Sequence, residues 1–195
     1  YTTLFRSLRR LSEKKKHDPV SIVARRFLTL FGEHGITVSQ IPRILPQLSL
    51  EQLRDTDSLL RALTTDILAQ TASFFGVRLA WLEGVDDRLY EMLTCYKQPE
   101  VFFQECARLN LPDIGFAVRA LCAKKELDWR DDRHQPIALI LVDKLQDLGE
   151  QEITRYRVFA DAWDWSHTPC RVQLKATARL VLQKYGRPLD RKSTR

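Results

Sequence analysis

Between Asp161 and Cys170 the chain sets Asp161, Asp164, His167 and Cys170 three residues apart. These are the side-chain types that acid–base catalysis and metal binding draw on. A helix would bring Asp164 and His167 onto one face, but Pro169 biases the residue before it away from helical backbone. The segment therefore reads as a loop whose polar groups cap and pack. The four histidines, His17, His34, His134 and His167, are scattered, and none stands at ligand spacing from another His or Cys. Cys95, Cys106, Cys122 and Cys170 form no Cys-x-x-Cys pair and read as small buried hydrophobes in a reducing compartment. The 7 glycines are isolated, so no phosphate-cradling loop exists, and Gly-x-Ser-x-Gly is absent. The sequence predicts no enzyme, no cofactor and no metal site.

Binding is better represented than catalysis. Trp163 and Trp165 alternate just after a strand-like stretch, where they can line a pocket or a partner surface, or cover the junction with the following helix. Arg155 and Arg157 share one face of that stretch and can bind an anion or pair with Asp residues of the same loop. These four are the candidate ligand-binding residues, for an effector whose identity is not legible.

The net charge of +6 is concentrated at the ends. Residues 1–17 carry Arg6, Arg9, Arg10 and Lys14 to Lys16 against Glu13, and residues 187–195 carry four cations against Asp190, so the span between them sums to −2. Any attraction for phosphate must come from a local patch or from the ends. Residues 1–7 and 190–195 look like translated sequencing-adaptor remnants, leaving a modest basic segment within 1–17. No apolar run approaches the ~20 residues that cross a bilayer, and no signal peptide is read, so a cytoplasmic location is expected and a membrane partner is not.

The positioning elements follow from spacing. Asp18-Pro19 opens a helix with Ile22, Val23, Phe27, Leu30 and Phe31 inward, ending at Gly32 or Gly35. Ser39 opens a short second helix, with Pro42 in its first turn and Pro46 beyond its end. Ser49-Leu-Glu-Gln52 is a capping-box pattern for a third, with Leu50 and Leu53 buried. Asp57 starts a fourth, Thr64 to Asp66 cap a fifth that Gly76 closes, and Leu79 to Glu83 make a last turn. Beyond a boundary near 86–98, helices are expected over Pro99–Leu109 and Pro112–Leu127 and a loop over 128–135. Ile137–Phe159 reads as a β-hairpin broken at Gly149, and Thr168-Pro169 begins a final helix to Tyr185.

Residues about 20–87 resemble the Cro/repressor-type helix-turn-helix domain, the xenobiotic-response-element family of bacterial and phage regulators. The resemblance rests on Ser39-Gln40, on Ser49, and on the Phe-Phe-Gly-Val-x-Leu-x-Trp-Leu-x-Gly ending from Phe74 to Gly84. It covers about a third of the chain, and Ile44-Leu45 and Pro46 stand where the family has Leu-Ala and Gly. It implies that Gln40 and Arg43 position phosphates and that Ser49, Gln52 and Arg54 contact bases or backbone from the third helix.

The expected fold is mainly α with a small α+β C-terminal part: an N-terminal five-helix lambda-repressor-like bundle (18–87), then two helices, a β-hairpin and a final helix (95–186), and a tail (187–195). The expected function is sequence-specific binding of double-stranded DNA by a transcriptional regulator, with a C-terminal sensing or dimerisation part and a possible homodimer. The alternative is a protein-interaction adaptor that keeps the helical fold without contacting DNA. Glu51, Asp55 and Asp57, which crowd the reading helix with negative charge, favour that alternative.

Overall fold

The computed structural model describes residues 19–109, 116–122, 126–131, 133–147, 152–160, 163–185 and 189–193. The expectations for residues 1–18, Gly149, Asp161 and Gly186 lie outside them. The chain divides into two compact units, one ending at Tyr90 and taking in Asp147–Ile153, the other holding Glu91–Gln146 and the chain from Thr154 onward.

The first unit is helical. Helix α1 (Pro19–Glu33) opens on proline, whose fixed φ suits a first turn. It buries Ala24, Phe27, Leu30 and Phe31. A 3-10 turn (Val38–Gln40) runs into the one-turn α2 (Ile41–Ile44), which tolerates Pro42 because first-turn amides have no partner inside a helix. Helix α3 (Thr56–Ala62) is capped by the Asp55 carboxylate, which accepts from the Ser58 amide at 2.8 Å. The Thr64 hydroxyl caps α4 (Thr65–Phe75) at the Ile67 amide, and Gly76 ends it at φ 67°, a left-handed conformation that side chains resist. One turn, α5 (Leu79–Leu82), returns Trp81 and Leu82 to the core. Phe31 meets Phe75 edge to face at 4.9 Å, joining α1 to α4.

Arg26, buried on α1, holds α5 in place. Its Nη1 donates to the carbonyls of Trp81 and Asp86, its Nη2 reaches Asp87 Oδ1 at 3.0 Å, and the guanidinium lies over the Trp81 ring. The carbonyls of Leu79, Ala80 and Trp81 already receive main-chain amides, so Arg26 adds a side-chain tie from a distant helix.

The second unit is a five-stranded mixed sheet with two helices on one face. Its elements are β1 (Met92–Leu93), α6 (Pro99–Leu109), β2 (Phe116–Cys122), β3 (Ile137–Asp147), β4 (Glu152–Phe159), α7 (Thr168–Tyr185) and β5 (Leu189–Ser193), with strand order β1-β4-β3-β2-β5. β2 runs antiparallel to β3, while the edge strands β1 and β5 lie parallel to β4 and β2. Val118, Ala120 and Cys122 stand opposite Leu141, Leu139 and Ile137. This face packs with Phe102, Cys106 and Leu109 of α6 and Cys170, Leu174 and Val181 of α7 in one core. All four cysteines are buried free thiols.

The fold departs from expectation in three regions. No helix begins at Ser49: residues 50–54 form turns with i→i+3 bonds, Leu53 to Leu50 at 3.2 Å and Arg54 to Glu51 at 3.3 Å. The reason is burial. Leu48 and Leu53 are the anchors, five residues apart and so on different sides of any helix, while Leu50 points out, and the extended backbone of Asp55 stops propagation. The expected five-helix lambda-repressor-like bundle is thus replaced by five α-helices that leave residues 46–55, where its third helix was expected, non-helical. Second, the helix expected over Pro112–Leu127 is a strand at Phe116–Cys122, with buried and half-buried residues in strict alternation. Pairing with strands on both sides overrides the helix preference of its Ala and Leu residues. Third, the hairpin is not a separate element, since β3 and β4 are the middle of the sheet. The helix from Thr168 is not final, because β5 follows it where a tail was expected. No helix among the described residues is long and apolar enough to cross a membrane.

Candidate interaction surfaces

The residues expected to meet DNA lie on the first unit and are largely engaged at home. Gln40 Oε1 accepts from the Thr37 amide at 2.8 Å and from its hydroxyl at 2.9 Å. Gln52 Oε1 accepts from the Ser49 amide at 2.8 Å, and the Ser49 hydroxyl accepts from the Gln52 amide at 3.4 Å. The capping-box pattern is therefore real, but it closes a turn rather than opening a helix. Arg54 Nε donates to Asp55 Oδ2 at 3.1 Å. Arg43 is exposed in the last turn of α2 and forms no ion pair among the described residues. Ser49 and Leu50 project from the turn, Leu50 at 57% exposure.

Beside this turn runs a shallow groove that sequence reading missed. One depression of about 650 Å³ is lined by Gln47, Gln52, Arg61, Thr64, Ile67 and Gln70. A second, of about 360 Å³, shares Gln52 and Arg61 and extends past Glu51, Arg54 and Ser58. Gln47 Nε2 donates to Gln70 Oε1 at 2.8 Å, tying the turn to α4. The lining holds two cations, Arg54 and Arg61, and two carboxylates, Glu51 and Asp66, so its formal charges cancel. Hydrogen bonds from the Ser58 amide, then from Arg54, hold the Asp55 carboxyl down at about 2. Arg61 and Gln70 had no sequence signal, because their proximity depends on the fold between them.

In the second unit the four candidate ligand residues do not converge. Trp163 is 1% exposed and sits in the core against Tyr96 at 5.2 Å, while Trp165 is half-buried under Lys175. Arg155 and Arg157 share a strand face, as alternation requires, but it is the face the helices cover. Arg155 pairs with Asp143 at 2.7 Å, and Arg157 reaches Glu105 of α6 at 3.1 Å, which also holds Arg108 at 2.9 Å. The arginines find carboxylates on a neighbouring strand and a helix rather than in their own loop.

Asp164 does not pair with the His167 side chain. It reaches back thirty residues to His134 Nδ1 at 2.8 Å and accepts from the Gln135 amide and from Ser166. Burial works to raise its carboxyl, but those bonds outweigh it and hold the group far below the usual range. Gln135, itself buried, winds the preceding loop around its amide: Nε2 donates to the carbonyls of Asp128 and Asp131, and Oε1 accepts from the Asp128 amide. The loop presents Trp129, 60% exposed, beneath Arg130. Among the described residues no His, Cys, Asp or Glu cluster could hold a metal ion.

No protein-family model matches this chain, and no curated protein or solved structure shows significant similarity to it.

Proposed function

We propose that this protein is an interaction adaptor of the cytoplasm, whose helical unit receives a peptide segment of a partner protein in the groove along Gln52 and Arg61. The observation that carries this reading is the groove's balance of charge together with the home engagement of Gln40, Gln52 and Arg54. A phosphate backbone gains affinity from uncompensated cations. Equal numbers of arginines and carboxylates beside amide side chains instead suit a polypeptide, which offers both signs and both kinds of hydrogen-bonding group. The exposed Leu50, next in the chain to Glu51 of the groove, offers apolar contact, which also favours a protein. The four buried free thiols fit a reducing compartment.

A peptide-display selection against the whole chain tests the proposal. Enriched peptides are expected to lose about tenfold or more in affinity on Arg61→Glu, with the fold intact by circular dichroism. Submicromolar binding of duplex DNA, falling steeply with salt and lost on Arg43→Ala, would instead return the protein to the DNA-binding class.

A further inference from the structure

Helix α7 carries Arg171, Lys175, Arg179 and Lys184 and not one Asp or Glu in its 18 residues. Its buried positions, Cys170, Leu174, Thr177 and Val181, recur at helical spacing and dock it on the sheet. The opposite side is not the polar face that such a helix ordinarily turns to water. Val172, Ala176 and Leu180 form an i, i+4 row on it, with Val172 61% and Leu180 47% exposed. Lys175 and Arg179 make the adjacent row, which Leu182, 53% exposed, continues. Arg179 forms no ion pair among the described residues. Three of the eight large hydrophobic side chains exposed on the described surface thus lie on one helix, along about 15 Å of its axis.

We infer that this outer face of α7 is a docking site for an acidic amphipathic helix of another protein. Charge complementarity selects that occupant: an apolar row bordered by cations, on a helix without anions, fits an apolar row bordered by Glu or Asp. A second copy of the chain fits poorly, because pairing α7 with itself sets Lys175 and Arg179 against like charges. Nucleic acid would neutralise the cations but leave Val172, Leu180 and Leu182 uncovered. A membrane surface calls for a broad apolar face with aromatic side chains, and this row has only two large aliphatic residues and an alanine. The site lies in the second unit and involves no residue of the groove proposed above, so it stands or falls separately.

The test uses the full chain and two synthetic 18-residue helical peptides with the same Leu row, one flanked by Glu and the other by Lys, titrated by fluorescence anisotropy. The Glu peptide is expected to bind about tenfold or more tighter than the Lys peptide. Leu180→Ser is expected to weaken it by about tenfold, and the double variant Lys175→Glu/Arg179→Glu to reverse the preference between the peptides. These substitutions are on the surface, and unchanged thermal unfolding verifies the fold. Equal binding of the two peptides, or indifference to the three substitutions, overturns the proposal. So does self-association in sedimentation that Leu180→Ser abolishes, or binding of a 20-base-pair duplex or of phosphatidylserine vesicles that exceeds the Glu peptide and is lost in the double variant.

Discussion

Arg155 lays both its Nε and its Nη2 on a single oxygen, Oδ2, of Asp143, at 2.9 and 2.7 Å. Asp143 is almost wholly buried, while Arg155 keeps about a quarter of its side chain in solvent. The pair stands on the helix-covered side of the sheet, as Arg157 with Glu105 does, beside the apolar core. A buried carboxylate that loses its cation is costly, whereas an apolar pair of similar volume need not be. Arg155→Met is expected to lower stability to urea by about 3 kcal/mol, and Asp143→Leu added to it to recover most of that loss. A double variant no more stable than the single one would mean that the pair fixes strand geometry beyond its charges.

Asp55 gives the acid limb of stability a defined contributor. Its carboxyl, held by the Ser58 amide and then by Arg54, titrates at about 2 in the folded chain against an ordinary value of 3.8. A depressed carboxyl binds its proton less tightly when folded, so its contribution is complete above 3.8 and is lost as pH falls toward 2. Asp86, bonded to the Arg88 amide, the Arg88 side chain and Arg78, shifts the same way. Stability is expected to drop between pH 4 and pH 2, and less steeply in Asp55→Asn, as read by unfolding midpoints across that range. The carboxyl carbon of Asp55, followed by NMR, should titrate near 2.

Burial pushes the Cys106 thiol up to about 12 from 9.0. The folded chain therefore retains this proton where the unfolded chain gives it up, so stability falls as pH rises from 9 toward 12. Because the thiolate is the reactive form and all four cysteines are buried, iodoacetamide at pH 8 should label the native protein slowly at every site and the urea-unfolded protein fourfold. Rapid labelling of a single site in the native state would contradict this.

Arg26 is poorly replaced by a residue of the same charge. Lys retains the charge but cannot fork between the carbonyls of Trp81 and Asp86 while stacking on the Trp81 ring. Arg26→Lys is expected to cost about 2 kcal/mol and Arg26→Ala more, with Trp81 fluorescence shifting to the red as α5 loosens. Gly84→Ala should destabilise the same region, since its φ is 81° and a Cβ there would come within 3.1 Å of Ile22.

What the sequence reveals of this molecule depends on the range of the determining interactions. The spacing of Phe27, Leu30 and Phe31, the Thr64 cap and Gly76 are local, and the elements they imply are present. Ser49 and Gln52 also bond as their pattern implies, yet no helix follows, because burial of Leu48 and Leu53 and the cap at Asp55 decide the backbone there. Phe116–Cys122 carries both a helical and an alternating reading, and only its neighbours β3 and β5 choose between them. The candidate sites were less legible than the fold. Trp163 and Arg155, residue types suited to binding a ligand, instead pack and pair in the interior, while Arg61, Gln70, Gln135 and the acid-free surface of α7 gain meaning only from three-dimensional placement.

The loop wound on Gln135 separates shape from identity. Its described residues are tied by the Gln135 amide, which bonds main-chain atoms of Asp128 and Asp131, and by the Asp128 and Asp131 carboxylates, which accept from the Arg130 and Arg133 amides. Trp129 and Arg130 can therefore be exchanged for other side chains while the frame that displays them stays put. That makes this short stretch a ready graft position, one where new recognition sequences can be installed without redesigning the scaffold beneath.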